Sequence, residues 1–306
     1  MRRWLCVSPL FALCPLAAGA TLYGITPTNI VTFDSADPTA QTVVGPHNLP
    51  ASQFAFLLTY HRAEGRLYAR RTEPAAGGTV DYMLYRFDPQ TGAGEFVANL
   101  GNSAVIGALG FFEYADSLEA IVVSRGDGVN RHELWTIDPN GALQFLVDTN
   151  RDHIAAAFDA RRGVMYTVSG GTARLATVDL QTGAVGELLP TISVNEMAFV
   201  PCEDAFYART SVGALHRILT TNGGGPVSNT NLGALGSGFG GIAYAPDPAC
   251  PRDLDCDGSV AFTDLNFLLG QYGQAWPGIH GDLNGDGVVS FADLNLLLDG
   301  YNKPCD

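Results

Sequence analysis

LATVDLQTG at residues 175–183 is an alternating apolar run that ends in Asp and a turn, and the chain repeats it. The other copies are LYRFDPQTG at residues 84–92, LWTIDPNG at residues 134–141 and a weaker LHRILTTNG at residues 215–223. Such runs make half-buried strands, after which Asp caps the turn, Pro pre-sets φ and Gly accepts positive φ. A second element precedes each copy: an aromatic residue followed, eight residues on, by the centre of an apolar-Tyr-small triplet. Tyr60 leads to Leu67-Tyr68-Ala69, Phe158 to Met165-Tyr166-Thr167 and Phe199 to Phe206-Tyr207-Ala208, while Phe111 leads to the divergent Leu118-Glu119-Ala120. Another apolar run closes each unit.

Each unit of about forty to fifty residues therefore supplies four strands, the size and content of a β-propeller blade. The two ends of this region complete one another. TLYG at residues 21–24 is a second strand lacking its first and is followed by IVTFDSADP at residues 30–38, whereas FGGIAYAPD at residues 239–247 is a first strand lacking its second. Counting the leading aromatics Tyr60, Phe111, Phe158, Phe199 and Tyr244 gives a mainly β chain with a five-bladed β-propeller closed by its last strand. A β-sandwich is the competing arrangement, but it leaves the complementary ends unexplained. The triplets and Asp turns resemble the repeat-containing propeller domains of secreted bacterial proteins.

Beyond residue 248 the pattern changes. DLDCDGSVAFTD at residues 253–264 and DLNGDGVVSFAD at residues 282–293 each carry oxygen-bearing side chains at loop positions 1, 3 and 5. These are Asp253, Asp255 and Asp257 in the first loop and Asp282, Asn284 and Asp286 in the second. Gly258 and Gly287 stand at position 6, and Asp264 and Asp293 at position 12. Calcium takes six to eight oxygen ligands, and alternate residues of one tight turn can supply them. The carbonyls of Ser259 and Val288 fill position 7, and apolar Val260 and Val289 at position 8 suit pairing of the two loops. Acidic surface turns that bind nothing are the bland reading; a second match at the same spacing weighs against it.

The residues before the loops, APDPACPR and GQAWPGIHG, are too rich in Pro and Gly for an entering helix, whereas DLNFLLGQYG and DLNLLLDGY follow with helical spacing. A duplicated loop–helix unit with Asp at position 12 resembles a type I dockerin module, over residues 251–301. The resemblance implies a small all-α module, two bound Ca2+ ions and docking onto a cohesin-like protein or another cell-surface component. Its metal positions fall on Asp253, Asp255, Asp257 and Asp264, then on Asp282, Asn284, Asp286 and Asp293. Where cellulosomal dockerins carry small or hydroxylated residues before position 12, this chain has Phe262-Thr263 and Phe291-Ala292.

The organisation expected is a leader over residues 1–20, a propeller over residues 21–248 and a dockerin-like module over residues 249–306. MRRWLCVSPLFALCPLAAGA joins two arginines, an apolar run and Ala18-Gly19-Ala20, the marks of a secretory signal peptide cleaved after Ala20. Pro9 and Pro15 interrupt the run, which weakens a membrane anchor, and Leu13 before Cys14 does not suit a lipoprotein site. Export leaves Cys202, Cys250, Cys256 and Cys305, with three possible disulfide pairings. Cys250–Cys305 is the preferred clasp around the duplicated unit, with Cys202–Cys256 as a tie to the propeller. A zinc site is disfavoured because no CxxC pair is present. The formal charge of −14 argues against nucleic acid as a partner.

No nucleophile elbow, zinc-protease helix or phosphate loop appears in the sequence. His47, His61, His132, His153 and His216 are scattered and read as hydrogen-bonded blade residues. Asp34, Asp88, Asp138 and Asp179 recur at one place in the repeat and read as turn caps; Arg70-Arg71 and Arg161-Arg162 read as solvated turns. The expectation is a secreted, non-catalytic interaction protein with a glycan or peptide over the propeller channel. A polysaccharide-degrading glycoside hydrolase or lyase carried by the same tether is the alternative. It requires acidic residues from several blades in one cavity, whereas the inner runs (AAAFDA, GALGFF, GGIAYAP) are apolar and small.

Overall fold

A computed structural model describes residues 19–305 except 50–54, 62–63, 79, 103–118, 126–130, 139, 150–152, 170–173, 191, 221–227, 237, 247–249 and 277. Strands β1 (Thr21–Ile25), β2 (Asn29–Asp34) and β3 (Asp37–Pro46) begin one antiparallel sheet. Strands β4 (Ala55–His61), β5 (Arg66–Pro74), β6 (Val80–Phe87) and β7 (Gly94–Asn102) form the next. A three-stranded sheet follows, built from β8 (Glu119–Arg125), β9 (Arg131–Ile137) and β10 (Leu143–Asp148). Then come β11 (His153–Asp159), β12 (Val164–Ser169), β13 (Arg174–Val178) and β14 (Val185–Pro190), and after them β15 (Glu196–Val200), β16 (Ala205–Arg209), β17 (Ala214–Leu219) and β18 (Ser228–Ala234). Strand β19 (Gly241–Tyr244) returns to the first sheet and pairs with β1, Leu22 opposite Tyr244 and Ile25 opposite Gly241.

The chain is thus mainly β, with four four-stranded sheets in a propeller-like arrangement. The complementary ends of the repeat region pair as expected. The leading aromatic Phe111, His132 and most of the predicted leader lie outside what the structure describes of backbone or side chain. The first strands of the sheets line the middle, β19 against β4 and β15, and β15 against β11. Apolar layers fill the wedges between sheets. Tyr166, Val168 and Leu175 meet Phe199, Phe206 and Ile218, and Leu134 and Val147 meet Phe158 and Met165.

The Asp turns are held as their chemistry requires. Asp88 Oδ1 accepts from the N–H groups of Gln90 (2.8 Å) and Thr91 (3.0 Å), Asp138 Oδ1 from Asn140 and Ala142, Asp179 Oδ1 from Gln181 and Thr182, and Asp34 Oδ1 from Ala36. These carboxylates are structural caps.

The triplet tyrosines show a regularity the strand pattern alone does not. Tyr68 and Tyr207 are buried, and each hydroxyl donates to a glutamate four residues earlier, Glu64 and Glu203, both at 2.5 Å. Arg86 and Arg217, opposite them on the next strand, approach the same glutamates at 3.9 and 3.5 Å. A buried phenol needs a partner, and the turn supplies it.

The arginines differ from expectation. Arg70 and Arg71 lie within β5, and Arg71 is only 3% exposed. Arg162 is in a turn but not solvated: Nη1 donates to Asp159 and Asp204 and Nη2 to Asp204, all at 2.6 Å. Arg71 lies 3.8 Å from Glu73, and Arg70 lies 4.7 Å from the Tyr82 ring centre; guanidinium groups withdrawn from water need such partners.

Glu196, at the start of β15, ties three inner strands together. It accepts from Leu58 N on β4 and from Ile242 N on β19 (2.8 Å), with Arg209 Nε at 3.8 Å. Burial pushes its carboxyl up to about 8, against the pull of Arg209 and of the two backbone donors. A folded-state value above the unfolded one means that this contribution is present at low pH and is lost as pH rises towards and through 8. The thermal midpoint is therefore expected to fall between pH 5 and 9 through Glu196. Glu196→Gln should flatten that dependence, and an unchanged slope in the variant refutes the assignment.

Candidate metal centre

The C-terminal residues fold as two loop–helix units. The first loop leads through β20 (Ser259–Val260) into α1 (Phe262–Gln271), the second leads into α2 (Phe291–Gly300), and a short strand β21 (Lys303–Pro304) pairs with β20. The described residues before each loop are turns rather than helix. Gly258 and Gly287 adopt φ of 87° and 85° at the sharp bend, a conformation that glycine takes without steric cost.

Equivalent atoms make equivalent bonds in the two loops. Position 1 accepts from the position 5 and position 6 N–H groups: Asp253 from Asp257 (3.1 Å) and Gly258 (2.8 Å), Asp282 from Asp286 (3.2 Å) and Gly287 (2.7 Å). Position 3 accepts from position 5, and position 5 from position 7: Asp257 Oδ1 from Ser259 N (2.9 Å), Asp286 Oδ1 from Val288 N (3.0 Å). Position 12 accepts three times. Asp264 takes the N–H groups of Leu254 (2.6 Å), Asp255 (3.1 Å) and Ala261 (2.7 Å), and Asp293 takes those of Leu283 (2.8 Å), Asn284 (3.1 Å) and Ser290 (2.7 Å). Both position 12 carboxylates are fully buried in the first turn of their helices, where the helix dipole also favours negative charge.

These bonds orient carboxylate oxygens inward. Oxygens of Asp253, Asp255 and Asp264 lie within 4.8 Å of one another, as do those of Asp282, Asp286 and Asp293. Burial pushes the Asp253 carboxyl up to about 6; the Gly258 N–H opposes this, and the Asp264 and Asp255 carboxylates add to it. Asp264 and Asp282 are also raised, burial being the largest cause. Asp293 is held low, because the N–H donors of Ser290, Asn284 and Leu283 together outweigh its burial. Oxygen donors gathered at this spacing in a half-buried turn fit a hard divalent cation, which would neutralise their mutual repulsion. A third grouping, Cys250 and Cys305 with Asp253, is not a thiolate site, since its sulfurs are bonded to each other.

Val260 and Val289 are buried as expected, at 3% and 0% exposure, but do not pair with each other. Each bonds to the chain that leaves the other unit's helix: Asn302 N donates to Val260 O (2.7 Å), and Gly273 N donates to Val289 O (2.8 Å).

The disulfides are Cys202–Cys256 and Cys250–Cys305. Cys250–Cys305 closes the ends of the duplicated unit, and Cys202–Cys256 joins the first loop to the turn after β15. Cys256, at position 4, has φ of 58°, where the second loop has Gly285 at 75°. Further contacts seat the segment on the sheet ends. Trp276 Nε1 donates to Ala160 O (3.1 Å), as does His280 N (3.3 Å); Gln271 Nε2 donates to Arg161 O (3.3 Å); and the Arg161 guanidinium lies 4.5 Å from the Phe267 ring centre. Trp276 and His280 carry this docking, and they stand in the GQAWPGIHG stretch whose Pro and Gly signal only the lack of a helix. The Trp276 indole is the signal that could have marked the stretch; His280 docks through its backbone N–H, which no side-chain pattern reveals.

The described inner strands border a small cavity. A cavity of about 70 Å³ there is lined by Leu58, Ala157, Met197 and Ala243, with Gly278 of the C-terminal segment at one end. Among the described residues, no acidic side chain lines it.

No protein-family model matches the sequence, and no curated protein matches it. Some solved structures are similar to it, at low identity and low structural overlap. One is an auxiliary nutrient binding protein from Bacteroides thetaiotaomicron (12% identity, TM-score 0.41, 58% of this chain and 41% of that one). Another is the calcium-binding protein regucalcin from Agrobacterium tumefaciens (13% identity, TM-score 0.43, 63% and 66%). A third is a GH43 β-xylosidase/α-arabinofuranosidase from a compost microbial metagenome (12% identity, TM-score 0.41, 61% and 80%). The chain spans less than two thirds of the length of the first two, and likenesses this distant support no statement about activity.

Proposed function

We propose that the chain is a secreted, non-catalytic binding protein in which residues 249–306 bind two calcium ions and tether a five-bladed propeller, residues 21–248, to a cohesin-like or cell-surface partner. The observation that carries this reading is the shared set of backbone N–H bonds to positions 1, 3, 5 and 12 of the two acidic loops. Asp253, Asp255, Asp257, the Ser259 carbonyl and Asp264 hold one ion; Asp282, Asn284, Asp286, the Val288 carbonyl and Asp293 hold the other. A five-membered ring is supported by apolar clusters that join each sheet to the next, the three-stranded sheet included. Export after a leader is supported by the two disulfides.

The partner meets the outer faces of the helices. Phe262 and Leu269 on α1, and Phe291 and Leu298 on α2, occupy equivalent positions seven residues apart and are 63, 48, 63 and 46% exposed. On α1 they lie on the side opposite Phe267 and Gln271, which face the sheets, so docking to the propeller leaves them free.

Calcium removal tests the reading. Metal-binding energy is folding energy for such loops. Chelator is expected to destabilise residues beyond about 251, so that protease cuts them faster than in calcium although their helices persist, while the sheets stay resistant. Equal cleavage with and without calcium contradicts it.

A further inference from the structure

Beside the small central cavity, two larger hollows open on the side where the C-terminal segment docks. One, of about 280 Å³, is lined by Tyr23, Tyr60, Glu64, Arg66, Asp88 and Gln90. The other, of about 320 Å³, runs from Tyr23 and Tyr244 to Cys256 and Asp257 of the first acidic loop. Tyr23, Ala245 and Pro246 border both, so the two form one groove. The chemistry of the first hollow is specific. Tyr23 is half-buried and borders the hollow beside the buried Tyr60, and carboxylate, guanidinium and amide groups present planar polar edges.

We infer that this groove binds a neutral oligosaccharide, with a sugar ring against Tyr23 and its hydroxyls on Asp88, Glu64, Arg66 and Gln90. The inference rests on the reading of the chain as a binding protein but not on its calcium loops, since the first hollow is built wholly from the propeller. A sugar ring offers an apolar C–H face to an aromatic ring and adjacent hydroxyls that donate and accept at once, which a carboxylate beside a guanidinium can match. Arg66 already pairs with Asp88, and Glu64 accepts from the Tyr68 hydroxyl and lies 3.9 Å from Arg86, so the charges balance and favour a neutral sugar over an acidic one. A peptide seeks either a free strand edge or an apolar side-chain pocket. The first hollow has no leucine, isoleucine, valine or methionine in its lining.

The test is calorimetric titration of the full chain with cellohexaose, xylohexaose and mannohexaose, beside hexagalacturonate and an unstructured peptide pool. Saturable binding of at least one neutral hexaose is expected, weakened about tenfold by Tyr23→Ala. Gln90→Ala, which changes an exposed side chain outside any hydrogen bond of the fold, should also weaken it. Absence of neutral hexaose binding overturns the inference; so does preference for hexagalacturonate or for peptide, or binding that neither variant alters. Release of reducing ends from a bound hexaose would instead leave the groove standing and overturn the non-catalytic reading.

Discussion

Replacing Asp264 or Asp293 with alanine is expected to unfold the loop–helix unit to which each belongs, and to do so even without calcium. Each carboxylate is fully buried and accepts three backbone N–H groups, so truncation leaves three donors without a partner as well as removing a metal ligand. An unsatisfied buried donor costs about 1–3 kcal/mol. Each variant should therefore lose about 3 kcal/mol or more, enough to melt a helix of ten residues. Asp257→Ala and Asp286→Ala make a useful contrast. Those side chains are exposed and hold only local turn bonds, so their loss should weaken metal binding without unfolding the metal-free segment. Helical circular dichroism in chelator separates the two classes, and a fully helical Asp264→Ala protein would show that the carboxylate is dispensable to the fold.

Arg162→Ala is expected to produce the largest loss within the sheets. Arg162 bridges Asp159, which has no exposure, and Asp204 on the neighbouring sheet's turn. Burial raises the Asp159 carboxyl, and Arg162 is the principal group that opposes this. Breaking a buried pair strands the remaining charge, at a cost of about 3–5 kcal/mol. The damage should reach the C-terminal segment, because the same turn presents Arg161 to Phe267 and Ala160 to Trp276. A midpoint in denaturant within error of the parent would contradict this account of the turn.

The sequence discloses what depends on local chemistry. The caps at Asp88, Asp138 and Asp179 follow from turn residues a few positions apart, and the two acidic loops follow from spacing within twelve residues. The pairing of β19 with β1 is also legible, because each is visibly half of a blade. What the sequence conceals are partners distant along the chain. Arg71 and Arg162 read as solvated until the sheets bury the first and bring Asp159 and Asp204 to the second, and the Glu64–Tyr68–Arg86 and Glu203–Tyr207–Arg217 sets emerge only when strand register aligns them. Val260 and Val289 show the same limit: their burial follows from their position, but their bonding partners, Asn302 and Gly273, lie beyond the other unit's helix. The groove at Tyr23 joins residues of three strands and two turns, and no single stretch signals it.

The most direct measurement is calorimetric titration of the full chain with calcium at neutral pH. Two ions per chain are predicted for the parent protein, and one each for Asp257→Ala and Asp286→Ala. Heat of dilution alone, or two ions retained in either variant, would contradict the assignment of the acidic loops.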